Sequence, residues 1–271
     1  MLKLIHALFL CMLFVKFSIL PVSLKAGYEL MEAGWPSASG NVTVVGAPSL
    51  TRVMINPALL SVADNTGIQF NYFIPYQSLN IHAGSLRSTM QVKNIPLAAS
   101  LNFLGDEFYQ ELQLTLGMAL ELEEKLSAGI SFNYLQLGVK TLTTRRTISL
   151  SPSIMYRVSD DITFGSTMFH LIQVKKAFRV AQRFQTGLSY TTAKTELILG
   201  LEKEEALPPE FCFGLSLDLY PHLQVAGGFR DKSQKLSMGW KFSREPFDIY
   251  YFYVHHPILP ASHGLGLEIA L

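Results

Sequence analysis

The chain has 271 residues, with 22 Lys plus Arg against 21 Asp plus Glu and a formal net charge of +1. Charged residues make up 16% and hydrophobic ones 49%, where an average soluble protein has about 25% charged. That balance excludes a disordered chain and a strongly basic nucleic-acid binder, and two cysteines exclude a disulfide-stapled fold.

Mean hydropathy is +0.24, which suits a membrane protein. Residues 1–26 read as a signal peptide: Lys3 supplies the positive start, 7–15 is the apolar stretch, and cleavage is expected after Ala26. Export leaves Cys212 as the lone cysteine. Beyond this segment no apolar run reaches the roughly 18 residues of a spanning helix. What remains is a large all-β core or a membrane β-barrel.

Residues 27–65 lack regular alternation, and 66–271 are dominated by it. In 111–122, Leu112, Leu114, Leu116, Met118, Leu120 and Leu122 alternate with Glu111, Gln113, Thr115, Gly117, Ala119 and Glu121. The same rhythm recurs in 211–219, 235–243 and 264–271. Successive strand side chains point to opposite faces, so each segment has one apolar face and one polar or small one. Alternation often runs to nine or more positions, which fits a tilted membrane strand of about 9–11 residues better than a sandwich strand of about 5–6.

We read fourteen strands, near 66–75, 77–87, 95–103, 108–121, 125–138, 146–158, 161–170, 182–191, 194–202, 209–219, 222–230, 234–242, 247–255 and 262–271. Connections after even strands are mostly tight, whereas 140–144, 171–181, 203–208 and 256–261 after odd strands are longer. Outer-membrane barrels have short periplasmic turns and longer outer loops. The turn at 88–94 is the exception. Pro152, inside a strand, is expected at a bulge or a strand end. Tyr72, Tyr76, Tyr156, Tyr190, Tyr220, Tyr250, Tyr251 and Tyr253 near strand ends suit interfacial girdles. The expected fold is a fourteen-stranded antiparallel transmembrane β-barrel in a bacterial outer membrane, with an N-terminal luminal plug at 27–65.

The triplet Asn56-Pro57-Ala58 stands just before the first barrel strand. There the chain resembles the hatch region of FadL-type outer-membrane transporters and the related PorV/PorQ barrels. Glu205 to Phe211 opening a strand, and Tyr253 to Pro257 with Leu259 and His263 before the last one, are similar to the PorV/PorQ closing pattern. The resemblance implies fourteen strands, an N-terminal segment in the lumen, and a hatch or gate at Asn56, Pro57 and Ala58. It implies binding or passive passage of a small hydrophobic solute such as a fatty acid. The alternative is a PorV/PorQ-like, non-enzymatic component that scaffolds or shuttles secreted proteins. A turn that starts a short helix at 57–63 is the plainer reading of the triplet.

Seven residues break the alternation with an apolar inward side chain: Phe73, Leu135, Met155, Phe169, Ile198, Phe252 and Val254. They line an apolar lumen pocket or pack against the 27–65 segment. Lys140, Arg145, Arg146, Lys175, Lys176, Arg179 and Arg183 form a basic outer rim suited to lipopolysaccharide phosphates. Inward acids Glu111, Glu121, Glu196, Glu202, Asp218 and Glu268 face Arg157, Arg183, Lys235 and Lys241, and internal ion pairs are expected.

No Walker, dinucleotide, His-Glu-x-x-His or Cys-x-x-Cys pattern occurs. Ser262 beside His263 points to the opposite face of its strand, so it does not read as a served nucleophile. We expect no enzyme, no cofactor and no metal. The expected partners are outer-membrane lipids and lipopolysaccharide, the barrel-assembly machinery reading the terminal strand, a hydrophobic small molecule and secretion-system proteins, with no nucleic acid.

Overall fold

The computed structural model describes residues 33–63, 66–77, 80–93, 95–174 and 179–271. The expected signal peptide, the start of the 27–65 segment, Lys175 and Lys176 lie outside them. Fourteen long strands carry the chain: β1 Gly67–Ile74, β2 His82–Val92, β3 Ile95–Gly105, β4 Tyr109–Glu123, β5 Leu126–Val139, β6 Arg145–Arg157 and β7 Ile162–Phe169, then β8 Arg183–Thr191, β9 Thr195–Glu204, β10 Glu210–Tyr220, β11 Leu223–Arg230, β12 Lys235–Arg244, β13 Phe247–His255 and β14 Ser262–Ala270. A two-residue strand, Ile172–Gln173, pairs with the upper part of β6.

Each strand pairs antiparallel with its sequence neighbour. The first and last also pair, from Gly67 opposite Ala270 to Ile74 opposite His263, so the sheet closes on itself. Closure removes free edges, the condition for strands to cross a bilayer. The apolar faces point outward. Leu116, Phe213, Leu236, Met238 and Leu265 are exposed on the outer surface, and their neighbours Thr115, Cys212 and Ser237 are buried inside. A water-soluble sandwich would bury the first set.

The second strand is displaced from its expected position. It spans 82–92 rather than 77–87, and β3 follows from Ile95. Residues 77–81 also alternate and drew the expected strand toward them, but Lys93 takes a φ of 48° and turns the chain. With that correction the 88–94 exception vanishes, and the longer connection, 75–81, lies at the same end as 140–144 and 256–261. Pro152 is neither at a bulge nor at a strand end. It pairs with Ile130 on the β5 side, while on its other side the β7 ladder begins only at Ser153. Its missing N–H therefore costs no ladder bond.

Residues 33–63 hold three short helical pieces: a 3-10 turn at Trp35–Ser39, α1 at Leu50–Ile55 and a 3-10 helix at Pro57–Val62. They lie against the inner face of the wall. A Cβ on Gly129 of β5 would sit 2.3 Å from the Ala58 nitrogen, and one on Gly165 of β7 would sit 2.2 Å from the Val44 carbonyl oxygen. Only glycine allows backbone to approach so closely.

Candidate functional site

The barrel interior has two chemically different halves. The inner faces of β3 to β6 are uncharged and polar through their middle, with Ser100, Asn102, Gln113, Thr115, Ser131 and Asn133 buried there. On β6 the four successive inward positions Thr147, Ser149, Ser151 and Ser153 are all hydroxyls. Hydrogen bonds link the half laterally: Thr115 Oγ1 donates to Asn133 Oδ1 at 2.9 Å, and Asn133 Nδ2 donates to Ser151 Oγ at 3.1 Å. The opposite half, β8 to β11, carries charge. Arg230 contacts Glu202 at 3.0 Å and also pairs with Glu210, while Arg183 lies 3.9 Å from Glu202.

Between these halves runs the 33–63 segment, tied to the wall along its length. Gly40 N donates to Ser237 Oγ at 3.0 Å, and Thr43 Oγ1 donates to Gln185 Oε1 at 2.8 Å. Arg52 donates from Nη1 and Nη2 to the two oxygens of Glu196 at 2.8 and 2.7 Å. Arg87 of β2 donates to Thr51 Oγ1 at 2.9 Å and to the Ala33 carbonyl at 3.0 Å. Sequence reasoning missed Arg52 and Arg87. The signal was present for Arg52, since a lone charge inside Leu50-Thr51-Arg52-Val53-Met54-Ile55 needs a buried partner.

Asn56, Pro57 and Ala58 sit against β4, β5 and β6. Asn56 is fully buried. Its Nδ2 donates to the Val44 carbonyl at 2.7 Å and to the Ile154 carbonyl of β6 at 3.2 Å. Its Oδ1 accepts from Ala58 N at 3.1 Å, capping the 3-10 helix. One amide therefore starts the helix and holds the segment to the wall. Pro57 presses on Gly117 of β4, where a Cβ would lie 3.1 Å from its ring.

The seven alternation-breaking residues are inward, but they form no single pocket. Phe73, Leu135 and Phe252 cluster with Trp35 and Ala38, and Val254 packs beside them. Met155 joins Val53, Met54, Ala58, Leu59 and Leu60. Phe169 and Ile198 join Val42, Val44, Val45 and Ile55. Each cluster thus mates wall residues with the 33–63 segment. Tyr250 is also inward and buried, its hydroxyl donating to Asn71 Oδ1, so it leaves the expected girdle.

Among the described residues three of the expected rim cations meet a partner. Lys140 lies 3.8 Å from Glu107, Arg146 Nε donates to Gln136 Oε1 at 3.1 Å, and Arg179 contacts Glu205 at 2.7 Å. Arg183 is not on the rim. It is buried inside, its guanidinium 3.9 Å from the Phe169 ring centre, because it begins β8 on the inward phase. Glu196 finds Arg52 rather than a wall cation. Among the described residues no group of three or more His, Cys, Asp or Glu converges on a metal position.

Cavities remain at the two ends. One of about 470 Å³ lies at the tight-turn end between Leu60, Ser61 and Ala63 and the wall at Thr89, Met90, Pro96, Ala119 and Leu120. A second of about 240 Å³ adjoins it, sharing Ala63 and Thr89. The larger one is lined by inward Ala119 and by outward Met90 and Leu120 together. It can meet both faces because the β3–β4 ladder begins only at Leu97 opposite Met118. Below that pair stands Pro96, which has no N–H to donate. At the other end a cavity of about 80 Å³ contains Phe73, Val254, Lys235, His256 and Ser262. There Ser262 is hydrogen-bonded to His256 at 3.0 Å, whereas its sequence neighbour His263 meets the Tyr251 hydroxyl.

No family model and no curated protein sequence match the chain. Solved structures do. The Ralstonia pickettii toluene transporter TbuX superposes with a TM-score of 0.67 at 11% identity, over 89% of this chain and 99% of that one. The Pseudomonas putida toluene transporter TodX gives 0.61 at 8% identity, over 87% and 96%. The CymD monoaromatic hydrocarbon channel gives 0.59 at 12% identity, over 88% and 98%. The likeness is one of fold, and it agrees with the strand number implied by the FadL-type resemblance. A closed antiparallel barrel with its apolar face outward defines the class: a fourteen-stranded β-barrel of outer-membrane type.

Proposed function

We propose that this chain is a bacterial outer-membrane channel for small hydrophobic solutes, with residues 27–65 as its hatch. The observation that carries the reading is the mating of seven apolar wall residues with the 33–63 segment. An inward apolar surface in an otherwise polar lumen gives a solute of low polarity somewhere to bind when the segment shifts. Asn56, Pro57 and Ala58 are the gate, since the Asn56 amide joins the segment to β6. The cavity beside Pro96, bordered by both inward and outward residues, supplies an exit sideways into the hydrocarbon of the membrane. A solute leaving there avoids the charged half of the lumen. The toluene and monoaromatic channels of like fold support a small aromatic solute.

The test is a lock. In a Cys212→Ser background, Ala58→Cys and Ser153→Cys join the gate to β6, where Ala58 N lies 3.3 Å from Ser153 Oγ. Uptake of labelled toluene is measured in cells whose lipopolysaccharide leaflet is intact. Uptake above vector controls is expected, with a loss of several-fold on oxidation and recovery on reduction. Uptake equal to the vector control, or indifferent to the lock, overturns the reading.

A further inference from the structure

Ser262 and His256 carry chemistry that passage of a solute does not use. Ser262 opens β14 on its inward phase, and His256 follows the end of β13. Closure of the 256–261 connection brings Ser262 Oγ within 3.0 Å of His256 Nε2. The Tyr76 backbone N–H donates to the same Oγ at 3.1 Å and fixes its position. The Tyr76 ring meets the imidazole edge-on, with centres 4.7 Å apart, and fixes the ring. Burial, followed by Lys235 and His255, holds the imidazole down to about 4, so at neutral pH the ring is uncharged. Both side chains border the 80 Å³ cavity, together with Lys235, Arg230, Phe73 and Val254.

We propose that this end of the lumen is a hydrolytic site for short-chain carboxylic esters, with Ser262 as nucleophile and His256 as general base. A hydroxyl beside a neutral imidazole is the arrangement nucleophilic acyl transfer needs. Phe73 and Val254 form an apolar wall for a short acyl chain, and the cavity volume limits it to a few carbons. Lys235, which borders the same cavity, brings positive charge to it. Ser262 Oγ attacks the ester carbonyl carbon, and its proton passes to His256 Nε2. The bond from that carbon to the leaving alkoxide breaks as the imidazolium returns the proton to it. Water then attacks the acyl-serine, giving its proton to the same nitrogen. The carboxylic acid departs, and the proton returns to Ser262 Oγ.

The full-length protein, folded in detergent micelles, is treated with a fluorophosphonate probe and assayed on p-nitrophenyl acetate and butyrate. Labelling of the wild type on the peptide containing Ser262 is expected, with hydrolysis at least about 100-fold faster than with Ser262→Ala. His256→Gln lowers both readouts by a similar factor, and Ser262→Cys retains acyl-enzyme formation. A heat-dependent shift in gel mobility establishes that each variant is folded. Mapping the label on the wild type needs no variant, so misfolding of Ser262→Ala does not blunt the test. An unlabelled Ser262, or hydrolysis no faster than with heat-unfolded protein, overturns the proposal. Toluene uptake by Ser262→Ala is measured in parallel, which separates this site from the channel.

Discussion

Arg52 and Glu196 face each other inside the barrel, the guanidinium giving two hydrogen bonds of 2.8 and 2.7 Å to one carboxylate. Glu196 also accepts from Ala47 N at 2.6 Å, and Arg52 donates to the Ala47 carbonyl at 2.9 Å. A single acid on β9 thus pins both ends of the 47–52 turn. Both side chains are almost fully buried. Breaking such a pair by removing one partner strands a buried charge at a cost of about 3–5 kcal/mol, whereas replacing both with apolar groups is often neutral. Glu196→Leu is therefore expected to lower the urea midpoint of the vesicle-embedded protein. The double variant Arg52→Met with Glu196→Leu recovers most of that loss.

Gly129 tests the close approach of the segment to the wall. Valine there places atoms on the Ala58 backbone, since even a Cβ would lie 2.3 Å from its nitrogen. Overpacking of this kind costs about 1–3 kcal/mol. The segment has fewer hydrogen bonds to lose than the closed sheet, so it moves first. In Gly129→Val, an Ala58→Cys thiol is expected to react faster with a maleimide than in the glycine background. Equal rates would show that the wall yields instead.

The outward face has its own test. Leu116 is 60% exposed on the barrel exterior. On a lipid-facing strand near mid-depth an arginine costs about 2–4 kcal/mol. Leu116→Arg is expected to shift the folding equilibrium in lipid vesicles by that amount. Leu142→Arg, in the 140–144 connection where Leu142 is also exposed, should stay within about 0.5 kcal/mol.

His256 gives a pH dependence with a definite sign. Its folded value is about 4 against an ordinary 6.5, with burial as the leading cause. The unfolded chain therefore takes up the proton first as pH falls. The contribution of His256 to stability is complete above about 6.5 and is lost on the way down to about 4. Proteolysis within the 256–261 connection is expected to accelerate between pH 7.5 and 4.5. His256→Gln should flatten that change.

The barrel was legible because a period of two is a local property. Leu112 through Leu122 declare one apolar face whatever lies around them, and strand length then favours lipid over a sandwich. The same logic misplaced β2, where 77–81 and 82–92 both alternate and only the turn at Lys93 decides between them. It also assigned Tyr250 to a girdle and Arg183 to the rim, because adjacent tyrosines and clustered cations carry no marker of inward phase. Phe73, Leu135 and Phe252 were identifiable as inward apolar residues, since each interrupts the alternation. Their partners Trp35 and Ala38 were not.

Sequence alone determined the apolar and polar faces of most strands, how many strands there are, and which end bears the long connections. These follow from residue order, because neighbouring strands are joined in order and side chains alternate along each. Tertiary structure decided which residues meet across the interior. Arg52 finds Glu196, Asn56 finds β6, and Ser262 finds His256 rather than the adjacent His263. Those pairings depend on closure of the sheet and on the path of 33–63 through it, distances that no local periodicity encodes.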